Sequence, residues 1–133
     1  MRKGDPFVSL HIARGADFSR EHLDDVISRG FKRMQDIFVG EESPCYAACF
    51  SWLLSPALPK MLGESSKISG FSGRFTKIPI KALGTGCFGY VFPGYSCDIC
   101  DLPEDTTLRR GIKRLYLDGG FVHEAGGIIL KKI

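Results

Sequence analysis

At 133 residues the chain is the size of one domain, long enough to bury a core without metal or disulfide staples. Its composition, 44% apolar and 25% charged, is that of an ordinary soluble globule, and a net charge of +3 carried by scattered lysines and arginines argues against nucleic acid as a partner. No apolar run approaches about 18 residues and no signal-peptide pattern opens the chain, so no membrane partner is expected.

Residues 1–6 are polar and carry no fold signal. Val8, Leu10 and Ile12 then alternate with Ser9, His11 and Ala13, the period-two pattern of a strand. Arg14 and Gly15 fall at the strand's exit. Ser19 is a suitable N-cap for the helix that follows, and Glu21 sits in its positive first turn. Leu23, Val26 and Ile27 form one helical face, and Gly30 is placed to stop the helix. Residues 34–39 read as a short strand and 40–42 as a turn. Ser43-Pro44 opens the most apolar segment, which reads either as a helix buried on most sides or as a strand leading into a helix. Ser55-Pro56 restarts a short helical piece through Leu62, and the glycine- and serine-rich stretch 63–73 reads as a mobile surface loop.

From Arg74 onward the pattern turns to strands. Thr76, Ile78, Ile80 and Ala82 alternate with Lys77, Pro79 and Lys81, and the proline marks a sheet edge. Gly84-Thr85-Gly86 is a turn before a strand at 88–92, and the polar stretch 102–110 has room for a turn of helix. Residues 112–117 and 121–124 read as a hairpin across Asp118-Gly119-Gly120, and 125–127 as another turn into a last strand at 128–130. Helices early and strands late indicate an α+β fold. The expectation is a single compact domain over 1–133, with an N-terminal strand and helices followed by a mainly antiparallel sheet.

The five cysteines, at 45, 49, 87, 97 and 100, are an odd set without dense pairing, which favours reduced thiols and a cytoplasmic setting. Cys45-x3-Cys49 and Cys97-x2-Cys100 together offer four zinc ligands, but small buried thiols are common in apolar runs such as 45–54, and the expectation is no metal. Arg14 has two readings: an anion hook, since a guanidinium fork held at a strand end matches phosphate geometry, or a solvated strand-end arginine.

Several short motifs share an order along the chain: Arg14-Gly15-Ala16-Asp17 with Ser19 and Gly30-Phe31, then Cys49-Phe50-Ser51 with Ala57. The run 84–92, a strand after the Gly84-Thr85-Gly86 turn, comes next, and Glu124 with Gly126-Gly127-Ile128 closes the set. In this the chain resembles the pertussis- and cholera-like ADP-ribosyltransferase toxins. The resemblance implies NAD as the substrate and a target protein as partner, or NAD hydrolysis alone. It implies that Arg14 binds the NAD phosphates or ribose and that Gly15 lets the backbone approach the cofactor. It makes Ser51 a hydrogen-bonding brace and Glu124 the carboxylate that stabilises an oxocarbenium-like transition state, with Glu104 a rival for that role. It also implies a secreted effector acting in a target-cell cytoplasm.

Two further readings stand beside it. Cys45 follows Ser43-Pro44 near the start of the apolar segment, where a helix N-terminus would activate a thiol, and His123 lies downstream as in papain-like peptidases and amidases. The tail from Arg114 to Gly127 also looks like the hairpin of NlpC/P60 peptidases. The non-catalytic reading is an interaction domain presenting Phe71, Phe75, Tyr90, Phe92 and Tyr95 to a protein partner; the alternative for these rings is a well-filled core. His11 and His22 read as a strand residue and a solvated helix residue.

Overall fold

A computed structural model describes residues 4–38, 43–81 and 84–130. The chain runs β1 (Val8–Ser9), α1 (Arg20–Ile37), β2 (Tyr46–Ser51), a 3-10 turn (Trp52–Leu54), α2 (Ala57–Leu62) and α3 (Lys67–Ser72). It continues through β3 (Thr76–Ile78), α4 (Phe88–Val91), a second 3-10 turn (Ile99–Asp101), α5 (Thr107–Leu117) and β4 (Ala125–Leu130). The strands form one sheet in the order β1-β2-β4-β3. β1 pairs parallel to β2, with Val8 opposite Ala47, whereas β4 is antiparallel to both β2 and β3. This is an α+β domain, as the sequence indicated, but with helices distributed along the chain.

Helix α1 starts at Ser19, where the Asp17 carboxylate accepts the Ser19 N–H at 2.8 Å and its hydroxyl at 2.7 Å. Those two donors hold the Asp17 carboxyl below its ordinary pKa. The helix does not stop at Gly30. Phe31 is buried with Leu23, and Ile27 and Met34 are half-buried between and beyond them, so the apolar face continues to Ile37 and takes in most of the expected strand at 34–39. Val39 and the turn at 40–42 lie outside the described residues.

The apolar segment after Pro44 takes the second of its two readings, a strand followed by a helical turn. The Ser51 hydroxyl makes the change of structure, accepting the Leu53 N–H at 3.2 Å. The expected loop at 63–73 contains α3, begun by Ser66, whose hydroxyl accepts the Ser69 N–H at 3.1 Å. Run 88–92 is helix α4 rather than a strand, its Phe88 and Phe92 rings one turn apart at 5.8 Å. Run 112–117 is the second half of α5, not a hairpin arm, because Leu108, Ile112, Leu115 and Tyr116 fall on one helical face toward the core. Gly126 and Gly127 are strand residues of β4, not a turn. Ala82, placed at the end of the expected β3 strand, lies outside the described residues.

The core gathers the end of β2, both 3-10 turns and the inner faces of α2, α3, α4 and α5. Phe71, Leu54, Leu58, Ile112 and Val122 are its largest fully buried side chains. No helix among the described residues is long and apolar enough to cross a membrane.

Candidate functional site

The sheet register sets the site. β1 and β2 point the same way and β4 the opposite way, with Ser51 opposite Ala125. The chain leaving β1, the chain leaving β2 and the chain entering β4 therefore meet at one end of the sheet. A cleft of about 630 Å³ opens there. Ligand crevices in open sheets form at the carboxyl ends of parallel strands, where the chains diverge.

The cleft has an apolar floor of Leu10, Ile12, Phe18, Trp52, Leu53 and Leu108, and the exposed rings of Phe50 and Tyr90 stand on its rim. Tyr90 lies against Trp52 with ring centroids 6.4 Å apart. The polar groups on its walls are His11, Arg14, Ser51, Thr106, Arg109 and Glu124, with Asp105 and Cys49 beside them. Of the two arginines, Arg109 is already committed. Its Nε donates to the Val91 carbonyl at 2.9 Å, one terminal nitrogen donates to both Asp105 oxygens at 3.0 Å, and its plane lies over Phe92 and Tyr95. The Asp105 carboxyl is held below its ordinary pKa by that hydrogen bond. Arg14 is exposed and makes no hydrogen bond or ion pair among the described residues, so its guanidinium is available to an anion. Gly15 follows it with φ of +77°, a left-handed backbone that glycine adopts without strain.

All four residues singled out from the sequence, Arg14, Gly15, Ser51 and Glu124, line this one cleft. Ser51 accepts the Leu53 N–H, which leaves its hydroxyl proton free to donate. Glu104, the rival carboxylate, is turned to Lys113 at 3.6 Å and does not line the cleft. Sequence reasoning did not place His11 or Trp52 at this cleft, and it read Tyr90 only as part of a surface for a protein partner. His11 shares the strand exit with Arg14 and bonds the Ser9 hydroxyl at 3.1 Å, so its nearness to the arginine was the available signal.

The thiol dyad is not assembled. Cys45 precedes β2, while His123 lies two residues before Ala125, the partner of Ser51 at the far end of that strand. Six residues of extended chain separate Cys45 from Ser51, about 20 Å at 3.3 Å per residue. The four cysteines do not form a zinc site either. Cys49 is buried, and the only ligand group within 4.8 Å among the described residues is the exposed set Asp98, Cys100 and Asp101. The aromatic recognition surface also fails as proposed, since Phe71, Phe75 and Phe92 are core residues and only Tyr90 and Tyr95 are exposed.

Residues 1–129 match the family of GNAT-like C-terminal domains. No curated protein matches the chain. Among solved structures, an acyltransferase in complex with decanoyl-CoA superposes with a TM-score of 0.86 at 24% identity, covering 99% of this chain and 42% of that one. An acyltransferase in complex with decanoyl-CoA and teicoplanin gives 0.86 at 21% identity over 99% and 43%, and one with CoA and 10C-teicoplanin gives 0.84 at 20% over 99% and 43%. At these identities the likeness is one of fold, and the chain spans about two fifths of the length of those acyltransferases.

These findings overturn the ADP-ribosyltransferase toxin resemblance, and with it NAD as substrate and a protein target as partner. The physical reason is visible in the fold. One of the matched motifs rests on a strand at 88–92 after the Gly84-Thr85-Gly86 turn, and that segment is helix α4. The solved neighbours hold acyl-CoA or CoA.

Proposed function

The chain belongs to the family of GNAT-like C-terminal domains, and on that premise we propose that its cleft binds an acyl-CoA and serves acyl transfer from it. The observation that carries the reading is the composition of the cleft: an apolar floor together with an unpaired arginine. An acyl-CoA has the matching character, with an apolar acyl chain, a pantetheine arm bearing two amides and a hydroxyl, and a phosphate-bearing end that is anionic. Phe50, Trp52 and Tyr90 suit the acyl chain and Arg14 the anionic end, with Gly15 allowing close backbone approach.

In the proposed step a nucleophilic N–H or O–H of the acceptor attacks the thioester carbon. The carbon–sulfur bond breaks, CoA leaves as the thiolate and takes a proton from water. The acceptor's own proton passes to a Glu124 carboxylate oxygen, which releases it to solvent. Ser51 has a free hydroxyl proton to donate toward the thioester carbonyl as negative charge develops on it. Cys49 takes no covalent part, since burial pushes its thiol up to about 11.

Calorimetry with decanoyl-CoA and with a phosphate-free decanoyl thioester tests the reading. The protein should bind both, and Arg14→Ala should weaken decanoyl-CoA at least tenfold while leaving the phosphate-free ester little changed, because a charge-assisted contact contributes about 1.5–3 kcal/mol. Absence of binding to either ligand contradicts it.

A further inference from the structure

We infer that Gly86 and Tyr116 are positioning residues for acyl transfer: Gly86 is the notch that aims the Glu124 carboxylate, and the Tyr116 hydroxyl clamps that notch in place. The inference rests on the acyl-CoA reading above. Gly86 does not adopt a left-handed backbone, so its lack of a side chain is not explained by conformation. It is explained by space. A Cβ at Gly86 would overlap Glu124 Oε1 and stand 3.2 Å from Glu124 Cδ, so the carboxylate occupies the room a side chain would take. The three nearest atoms it would meet all belong to the flexible Glu124 side chain. An added methyl therefore redirects Glu124 without forcing the fold.

The turn that carries Gly86 is tied to the segment that carries Glu124 through one hydroxyl. Tyr116 Oη donates to the Gly84 carbonyl and accepts the Val122 N–H at 3.2 Å. The Cys87 sulfur lies 3.6 Å from the same oxygen. The ring is wedged edge-on against Phe88 and Phe121, with centroids at 4.8 and 5.5 Å. Burial pushes the phenol up to about 12, which keeps its proton in place for the donation. Two residues beyond each end of this clamp lie Gly86 and Glu124. At Gly84 too the segment fills the side-chain space: a Cβ there would stand 3.3 Å from the His123 ring and 3.4 Å from Phe121 Cβ.

The test uses decanoyl-CoA with hydroxylamine as a surrogate acceptor, following decanoyl hydroxamate and CoA together, with calorimetry for donor binding. Gly86→Ala should lower turnover about a hundredfold, the scale of a 1 Å misplacement, while KM for decanoyl-CoA, its calorimetric affinity and the melting temperature stay at wild-type values. Shortening the carboxylate should relieve the crowding, so Gly86→Ala with Glu124→Asp should lose less than the product of the two separate losses. Tyr116→Phe, which keeps the ring packing, should lower turnover with KM unchanged. Wild-type turnover in Gly86→Ala, or strictly multiplicative losses in the double variant, overturns the inference. So does a wild-type protein that binds decanoyl-CoA yet forms no hydroxamate, an outcome that leaves the donor-binding reading standing. A wild-type protein that does not bind decanoyl-CoA removes that reading itself.

Discussion

The Cys49 thiol lies on the cleft wall at 1% exposure, where removal from water pushes its pKa from 9.0 to about 11 against the opposing pull of Lys77. Cys87, also fully buried, is shifted the same way by burial. Both are neutral thiols at pH 7, so Cys49, the cysteine on the cleft wall, offers no thiolate there. A raised folded-state value makes the linkage explicit: the stability contribution is complete below the unfolded value near 9.0 and is lost as pH rises through about 11. Denaturant melts should therefore show stability falling above about pH 9, with a shallower fall in Cys49→Ala; an identical slope in the variant would remove the assignment to Cys49. That Arg14, Ser51 and Glu124 belong together was legible from the sequence, because each is a polar group placed at the exit or entry of an apolar run, and all three line one cleft. Their chemistry was not legible. An arginine, a hydroxyl and a carboxylate suit any anionic substrate with an electrophilic centre, and residue type alone does not separate NAD from an acyl thioester.

Strand β4 shows what limits sequence reading at the level of elements. Gly126-Gly127 has the composition of a turn, yet both residues are paired in the sheet, Gly127 opposite Cys49 and Lys77. A Cβ at Gly127 would stand 2.7 Å from Phe75 Cβ and 2.9 Å from Leu54 Cδ1, so the glycine is there to let the core close over the strand. Gly127→Ala should cost about 1–3 kcal/mol through overpacking and lower the thermal midpoint by several degrees; an unchanged midpoint would contradict that packing account. Helices α4 and α5 were hidden for another reason. Phe, Tyr and Val at 88–92 favour a strand, and Asp118-Gly119-Gly120 after 112–117 suggests a hairpin turn, but the longer spacing Leu108, Ile112, Leu115 behind a Thr106 cap carries the helical period. The start of α1 was readable because Ser19 and Glu21 mark it, and its end was not, because Gly30 sits inside a face that Phe31 continues.

At the scale of the molecule, one parallel pair in an otherwise antiparallel sheet does the organising. Because β1 and β2 leave the sheet side by side and β4 enters between its neighbours at the same end, residues more than a hundred positions apart share a cleft. The α+β class was legible from the presence of both helical and strand patterns, though not the order of the elements, and this register was not legible, since no local signal records which strands run parallel. The central claim is that this end of the sheet is the acyl-CoA site. Its most direct test is titration of isotopically labelled protein with decanoyl-CoA, followed by amide NMR shifts. The account predicts saturable shifts at residues 10–16, at Ser51 and Trp52, at Tyr90 and at Glu124, with the far end of β2 around Cys45 unmoved. Shifts confined to the Cys45 end of the sheet, or none at saturating ligand, would contradict it.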